Sequence, residues 1–150
     1  MPERDVVLVD GVRVTNGTRT AIDLARRARR SSAVVAVDAL LHARTTSAED
    51  LSEALERWTG HRGVLQVRAV IGLADGRAES PGETRIRLAL CDSGLGPLEL
   101  RVPVCAGRYR VDMVVQGRVI IEFEGSHHDR PDSQMADRRR FNALAALPGV

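Results

Sequence analysis

The stretch at residues 109–128, YRVDMVVQGRVIIEFEGSHH, constrains the fold of this chain more than any other. Two apolar runs flank the dipeptide Gln116-Gly117, a pattern that predicts a hairpin. Asp112 lies in the first run, and Glu122 and Glu124 lie in the second. An ionised carboxylate in an apolar strand loses its hydration, which is costly unless a cation or strong donors replace the water. Three acids in one hairpin therefore predict that cations or strong hydrogen-bond donors lie close to them.

The length of the turn decides whether these acids share a face of the sheet. Side chains alternate along a strand, so a two-residue loop would place Asp112 and Glu122 on opposite faces. A three-residue loop at 115–117 puts Gly117 at the left-handed position of a type I turn with a bulge, where glycine is favoured. Asp112 then lies opposite Ile120 and diagonal to Glu122. We predict this register, in which all three acids share a face.

Carboxylates gathered on one face repel each other unless a cation lies between them. Mg²⁺ fits such a site, because it takes oxygen ligands from one or two carboxylates and binds substrate phosphates at its open positions. The metal would activate a water as nucleophile and stabilise the charge that develops on a phosphate. The alternative is a half-exposed sheet face on which the acids meet solvent and pair with Arg110 or Arg118.

Composition sets few further limits. The chain has 150 residues, 43% of them hydrophobic, which suffices for one domain or for a domain with a smaller appendage. A net charge of +2 gives no overall argument for nucleic acid, and all 22 basic residues are Arg, which excludes lysine chemistry. Cys91 and Cys105 match no zinc pattern and should be free thiols. Without a secretory signal, or an apolar run of roughly 18 residues, we expect a soluble, cytoplasmic protein with no membrane association.

The first half of the chain predicts a small helical module led by a hairpin. Strands at 6–9 and 12–15 flank Asp10-Gly11, a strong turn dipeptide. Four helices should follow: one capped by Thr20, one at about 32–44, one starting at Ser47 with Asp50 in a capping box, and one at about 64–74. Trp58 is expected to anchor the core.

Four arginines follow the apolar stripe of the first helix: Arg26, Arg27, Arg29 and Arg30. Cations in a last turn complement the helix dipole, so a solvated helix end explains them. A phosphate-binding patch is the alternative.

The pattern of apolar and turn residues changes in the second half, and residues 77–82 predict a linker between two domains, 1–76 and 77–150. A helix at about 81–91 should precede strands near 98–104, 109–115 and 118–124, with a last helix at about 133–147. The predicted fold class is α/β, an α+β arrangement with a mixed sheet, preceded by the helical module with its N-terminal hairpin.

Several ordered motifs of this second half carry a family resemblance. SPGETRIRLAL at 80–90, RVPV at 101–104, the two runs of the acidic hairpin and DRRRFNAL at 137–144 resemble the endonuclease-like domain of unknown function 559 family. That family is related to the very-short-patch-repair nucleases of the PD-(D/E)XK, or restriction-endonuclease-like, superfamily. The resemblance implies a restriction-endonuclease-like core and an Mg²⁺-dependent nuclease, with Mn²⁺ as an alternative metal, that hydrolyses phosphodiester bonds in DNA.

The same resemblance implies roles for individual residues. Asp112 and Glu122 would hold the metal with Glu83, for which a salt bridge to Arg87 is the alternative. Glu124 falls where the superfamily usually has a Lys that orients the attacking water, so an Arg, a His or a second metal would have to replace it. The implied catalytic set is Asp112, Glu122, Glu124, His127 and His128, and the implied nucleic-acid contacts are Arg110, Arg138 and Arg140. Loop or helix-cap duty is the alternative for the histidines, and a solvated face for the arginines.

Residues 6–28, VVLVDGVRVTNGTRTAIDLARRA, resemble the segment that follows the winged helix in abortive-infection antitoxin-like proteins. The alternative function is therefore a non-catalytic DNA-binding or antitoxin-like regulatory module that retains the nuclease fold. Members of the endonuclease-like family continue past a segment like ALPGV with another strand and helix. The core is thus expected to be C-terminally short, with a sheet edge that a homodimer or a partner chain would complete, or to be a truncated product.

Overall fold

The computed structural model describes residues 1–123 and 139–145 and has a mixed α+β architecture. The chain divides into two compact units, Met1–Thr84 and Arg85–Val150. This division falls within one helix, and the domain boundary expected at 76/77 stays a prediction. In the described part of the chain, no helix is long and apolar enough to cross a membrane.

A β-hairpin opens the first unit. A short 3-10 helix, Glu3–Asp5, precedes β1 (Val6–Val9) and β2 (Val12–Thr15), which pair antiparallel around Asp10 and Gly11. Both turn residues have positive φ, 49° and 79°, as a type I′ turn requires. The predicted hairpin is confirmed.

Four helices form the rest of this unit: α1 (Gly17–Arg27), α2 (Arg30–His42), α3 (Ala48–Arg57) and α4 (Val64–Ile71). Helix α1 packs against each of the other three. Small and β-branched side chains fill the space between them, which lets the helices approach closely. The buried set is Ala21, Ile22, Ala25, Ala33, Val34, Val37, Leu51, Ala54, Val67 and Val70.

Local caps explain where two of these helices begin. Asn16, and not Thr20, caps α1: its side chain accepts a hydrogen bond from the Arg19 N–H at 2.8 Å. The prediction for Thr20 is wrong because the helix already begins after Asn16. Thr20 lies within the helix, where its hydroxyl donates to the Asn16 carbonyl. The capping box of α3 is confirmed, since Ser47 and Asp50 exchange both hydrogen bonds.

The second unit contains a three-stranded antiparallel sheet. Helix α5 (Pro81–Asp92) leads into it, and β3 (Leu98–Val104), β4 (Tyr109–Val115) and β5 (Val119–Ile121) follow in the order β3-β4-β5. Residues 139–145 are helical. The central strand β4 is buried over residues 111–115, so Asp112 lies within a continuous buried run.

The turn between β4 and β5 has three residues, as predicted, but it begins one residue later. Val115 pairs with Val119 and Val114 with Ile120, which leaves residues 116–118 as the loop. The predicted pairing of Asp112 with Ile120 is therefore wrong. Val115 is β-branched and suits a strand better than a loop, whereas Gln116 and Gly117 adopt positive φ values of 53° and 65°.

This shift preserves the alternation of side chains across the sheet. Each residue of β4 pairs two positions further along the next strand than predicted, and a shift of two residues keeps every side chain on its face. Continuing the observed register by one pair from Met113 and Ile121 sets Asp112 opposite Glu122. The two acids therefore alternate to the same side of adjacent strands, as the three-residue turn required.

Candidate functional site

Asp112 is buried on β4, and both of its carboxylate oxygens have donors. Pairing of Leu100 with Met113 and of Val102 with Val111 places Arg101 directly opposite Asp112. The Arg101 Nη1 donates to Asp112 Oδ1 at 2.8 Å, and the Phe123 backbone N–H donates to Oδ2 at 2.9 Å. The two side chains of this ion pair are only 15% and 11% exposed. A guanidinium thus supplies the positive charge that an acid in this strand requires.

Arg101 was missed at the level of sequence. Only Arg110 and Arg118, both in the hairpin itself, were considered as partners of the acids, whereas Arg101 comes from the preceding strand. Its backbone has a φ of 57°, a left-handed conformation that costs a non-glycine residue roughly 1–2 kcal/mol. Arg101 is the first residue of the RVPV motif. To identify it from the sequence as the partner of Asp112 would require the register of β3 on β4.

Glu122 pairs with Arg140, from the helical residues 139–145. The Arg140 Nη2 lies 2.6 and 2.8 Å from the two carboxylate oxygens and donates also to the Arg110 carbonyl at 2.9 Å. The side chains are 38% and 28% exposed, so this pair is more hydrated than that of Asp112. The Arg140 guanidinium thus bridges the Glu122 carboxylate and the backbone carbonyl of Arg110. Arg110 and Arg140 are two of the residues expected as nucleic-acid contacts.

Glu83, expected as a metal ligand, caps the start of α5. Ser80 Oγ donates to its Oε1 at 2.8 Å, the Glu79 N–H donates to Oε2 at 3.1 Å, and the Glu83 N–H donates to Ser80 Oγ at 3.2 Å. Pro81 occupies the first helical position, where its missing N–H costs nothing. This reciprocal bonding resembles a capping box, except that the carboxylate accepts from the N–H of Glu79 instead of that of Ser80. Glu83 belongs to the first unit, whereas Asp112 and Glu122 belong to the second.

The remaining predicted site residues, Glu124, His127, His128 and Arg138, lie outside the described residues. Their expected roles stay predictions.

The described acids do not fit a magnesium centre as they stand. Within residues 1–123 and 139–145, no group of three or more His, Cys, Asp or Glu side chains is placed to hold a metal ion. The oxygens of Asp112 and Glu122 face N–H donors of Arg101, Phe123 and Arg140, and Mg²⁺ would have to displace them. The expected magnesium site of Asp112, Glu122 and Glu83 stays a prediction.

A second buried aspartate lies in the first unit. Asp38 is 1% exposed, and its Oδ1 accepts from the Asp75 N–H at 2.7 Å, while its Oδ2 accepts from the Thr84 hydroxyl at 2.7 Å. The carboxylate joins α2 to the segment after α4 and to the first turn of α5. This bridging of segments that are distant in the sequence indicates a structural role.

Trp58 forms a cation cluster instead of lying in the core. It follows α3 and is partly exposed, and the guanidinium carbons of Arg19 and Arg26 lie 5.4 and 5.3 Å from its ring centroid. Hydrogen bonding to Asp23, with a further bond to Asp5, raises the pKa of Arg19. These contacts fix the charges on the side of α1 that faces α3.

A pocket of about 630 Å³ lies between the start of α3 and residues 74–77. Its polar groups serve local structure: Arg77 pairs with Asp75 at 2.7 Å, and Ser47 and Asp50 cap α3. The hydrogen bond with Asp75 raises the pKa of Arg77. The lining therefore presents matched charges and no convergent catalytic groups.

Comparison with known proteins shows that most of the first unit is similar to a known domain family. Residues 1–73 match the family model described as the AbiEi antitoxin C-terminal domain. This match spans the hairpin and α1 to α4, and it supports the antitoxin-like resemblance of residues 6–28. The matched residues contain none of the acids expected to act in a nuclease.

Two relatives cover most of the chain. Over 144 residues, 93% of this chain, it is 32% identical to the uncharacterised proteins MT2308 and Rv2248 from two strains of Mycobacterium tuberculosis. The chain spans 53% of the length of these relatives. No solved structure matches it. These comparisons give no support to the endonuclease-like resemblance, and the chain is similar in its first half to an antitoxin domain.

Proposed function

We propose that this chain is a non-catalytic regulatory module of the antitoxin type, which acts by binding a macromolecule. The observation that carries the proposal is the match of residues 1–73 to the AbiEi antitoxin C-terminal domain. The partner would be a nucleic acid, DNA first, or a toxin protein, met in the cytoplasm.

The second unit supports a binding role over hydrolysis. A metal-dependent nuclease needs carboxylate oxygens that are open to the metal, which in turn binds the phosphate and the attacking water. In this chain Asp112 and Glu122 each carry an arginine of the same unit as counter-ion. The two guanidiniums neutralise the acids without a metal.

An Mg²⁺-dependent DNA nuclease is the second candidate, and one observation favours it. Asp112 and Glu122 alternate to the same side of neighbouring strands, so a metal that displaced Arg101 and Arg140 would meet both carboxylates. This candidate requires the restriction-endonuclease-like core, and an open edge at β3 or β5 for a second copy or a partner chain.

Metal binding and DNA cleavage separate the two candidates. Calorimetric titration with Mg²⁺ and with Mn²⁺ should show no binding heat, and supercoiled, linear and single-stranded DNA should stay intact with either metal. Metal-dependent cleavage that is lost in Asp112→Asn would establish the nuclease and overturn our proposal. Asp10→Asn, an exposed aspartate in the first turn, is the matched control.

Growth rescue tests the antitoxin role directly. The chain should restore growth to cells that express a toxin neutralised by an antitoxin of the matched family. Failure to rescue, with the chain present at normal level, would contradict the proposal.

A further inference from the structure

Five arginines of the first unit lie on neighbouring segments of the chain, and we call this set the arginine face: Arg26, Arg27, Arg29, Arg30 and Arg62. Arg26 is partly exposed and the other four are exposed. They come from the end of α1, the start of α2 and the loop before α4.

Two contacts bring these segments together. Gln66 Nε2, on α4, donates to the Ala25 and Ala28 carbonyls at 2.9 and 3.0 Å, so α4 lies against the end of α1. The Arg26 side chain passes over Gly63, where an added Cβ would come within 2.8 Å of Arg26 Cγ. Arg62, next to Gly63, therefore lies on a loop that packs against the Arg26 side chain.

The segments that meet here carry no compensating acids. The sequence has no Asp or Glu between Asp23 and Asp38, and none between Glu56 and Asp75. Arg26 approaches Asp23 at 4.0 Å. Among the residues that the structure describes, Arg27, Arg29 and Arg62 form no ion pair.

Helix stability explains only two of the five arginines. Helix α1 ends at Arg27, and Ala28 is extended, so Arg29 and Arg30 lie at the N-cap and first position of α2. Cations complement a dipole at the C-terminus of a helix but oppose it at the N-terminus. The solvated helix end proposed from the sequence therefore accounts for Arg26 and Arg27 alone.

We propose that the arginine face binds the phosphate backbone of a nucleic acid, and that this contact is the one through which the proposed regulatory module acts. The guanidinium fork matches phosphate oxygens in a planar, bidentate geometry. Helix α2 has no side-chain cap, and the backbone N–H groups of its first turn would add donors for the same phosphate. Contacts of this kind position a nucleic acid without reading its bases.

An anionic membrane fits this surface less well. A helix that lies on a membrane inserts a broad apolar face. Most apolar residues of these segments, such as Val34, Val37 and Val67, are buried in the core, and the exposed Leu24 and Leu65 do not make a broad apolar face.

Fluorescence anisotropy with labelled duplex DNA, duplex RNA, single-stranded DNA and single-stranded RNA tests the inference. The triple variant Arg27→Gln, Arg29→Gln, Arg62→Gln should lose affinity about tenfold and reduce the slope of log K against log salt by about 2 between about 50 and 200 mM salt. The control is Arg44→Gln, Arg85→Gln, Arg118→Gln, three exposed arginines elsewhere, which should change affinity by less than about twofold. Whichever nucleic acid binds tightest identifies the partner.

Equal losses in the two triple variants would overturn the inference, because net charge alone would then explain binding. Binding of phosphatidylglycerol vesicles as tightly as nucleic acid, or no binding to any of the four nucleic acids, would also overturn it. Metal-dependent cleavage would overturn the proposed function instead, and is read in a separate assay. All six positions are exposed, and thermal unfolding checks that each variant folds.

Discussion

In the part of the chain that the structure describes, each unit buries one aspartate, and the two accept hydrogen bonds from different kinds of donor. Asp38 in the first unit accepts from a backbone N–H and a threonine hydroxyl, both uncharged. Asp112 in the second unit accepts from a guanidinium and a backbone N–H. A carboxylate in an apolar setting therefore indicates only that donors are present. It does not indicate a catalytic site until those donors are known.

The two aspartates differ in what happens to their donors when the carboxylate is removed. The Asp75 N–H and the Thr84 hydroxyl are neutral, so without the Asp38 carboxylate these two groups lose hydrogen bonds and leave no charge behind. The partner of Asp112 is itself a nearly buried cation, so each member of that pair depends on the other. The second arrangement is thus the more sensitive to a single substitution.

The largest expected effect comes from Arg101→Ala. It leaves the carboxylate of Asp112 buried without its cation, and the free energy of unfolding should fall by about 3 kcal/mol. Urea unfolding measures the change. Arg101→Leu combined with Asp112→Leu should recover most of the loss, since an apolar pair is tolerated where an ion pair is buried. A loss as small as that of an exposed pair would contradict the assigned role of Arg101.

Asp38→Ala should cost about 2 kcal/mol, because the Asp75 N–H and the Thr84 hydroxyl lose a buried acceptor. The same urea titration gives the value. A loss larger than that of Arg101→Ala would contradict the greater sensitivity expected of the Arg101–Asp112 pair.

Thr84→Val removes one neutral donor and keeps the shape of the side chain. We expect a loss of about 1 kcal/mol in thermal or urea unfolding, since Asp38 keeps its bond from the Asp75 N–H. In an Asp38→Ala background the same change should have little effect, and independent, additive losses would show that the two groups are not coupled.

The smallest effect should come from Glu122→Gln. Its pair with Arg140 is about a third exposed, so the loss should be about 0.5 kcal/mol at low salt and should fall toward zero near 1 M salt. The loss for Arg101→Ala should change much less with salt. Equal salt dependence of the two would show that Asp112 is as hydrated as Glu122.

Local signals made much of the fold predictable. Asp10-Gly11 specifies a type I′ hairpin, and Ser47 with Asp50 specifies a capping box, because each structure is formed by neighbours in the chain. The start of α1 was misplaced because Asn16 and Thr20 are both good caps. Asn16 also donates to the Arg4 carbonyl twelve residues earlier, a contact outside any local pattern.

The candidate sites depend on contacts that are distant in the sequence, and these could not be predicted. The donors of Asp38 lie 37 and 46 residues away, and the cation of Asp112 lies on another strand. For the arginine face, the sequence supplied the cluster after α1. Its extension to Arg62 depends on Gln66 reaching the Ala25 and Ala28 carbonyls across about 40 residues.

The left-handed backbone at Arg101 has an evolutionary consequence. Glycine would relieve the backbone at this position but remove the cation, and a neutral side chain of any size would strand the charge of Asp112. No single substitution satisfies both demands. Among homologous sequences, positions 101 and 112 should therefore change together or not at all, and this covariation would identify the pair without a structure.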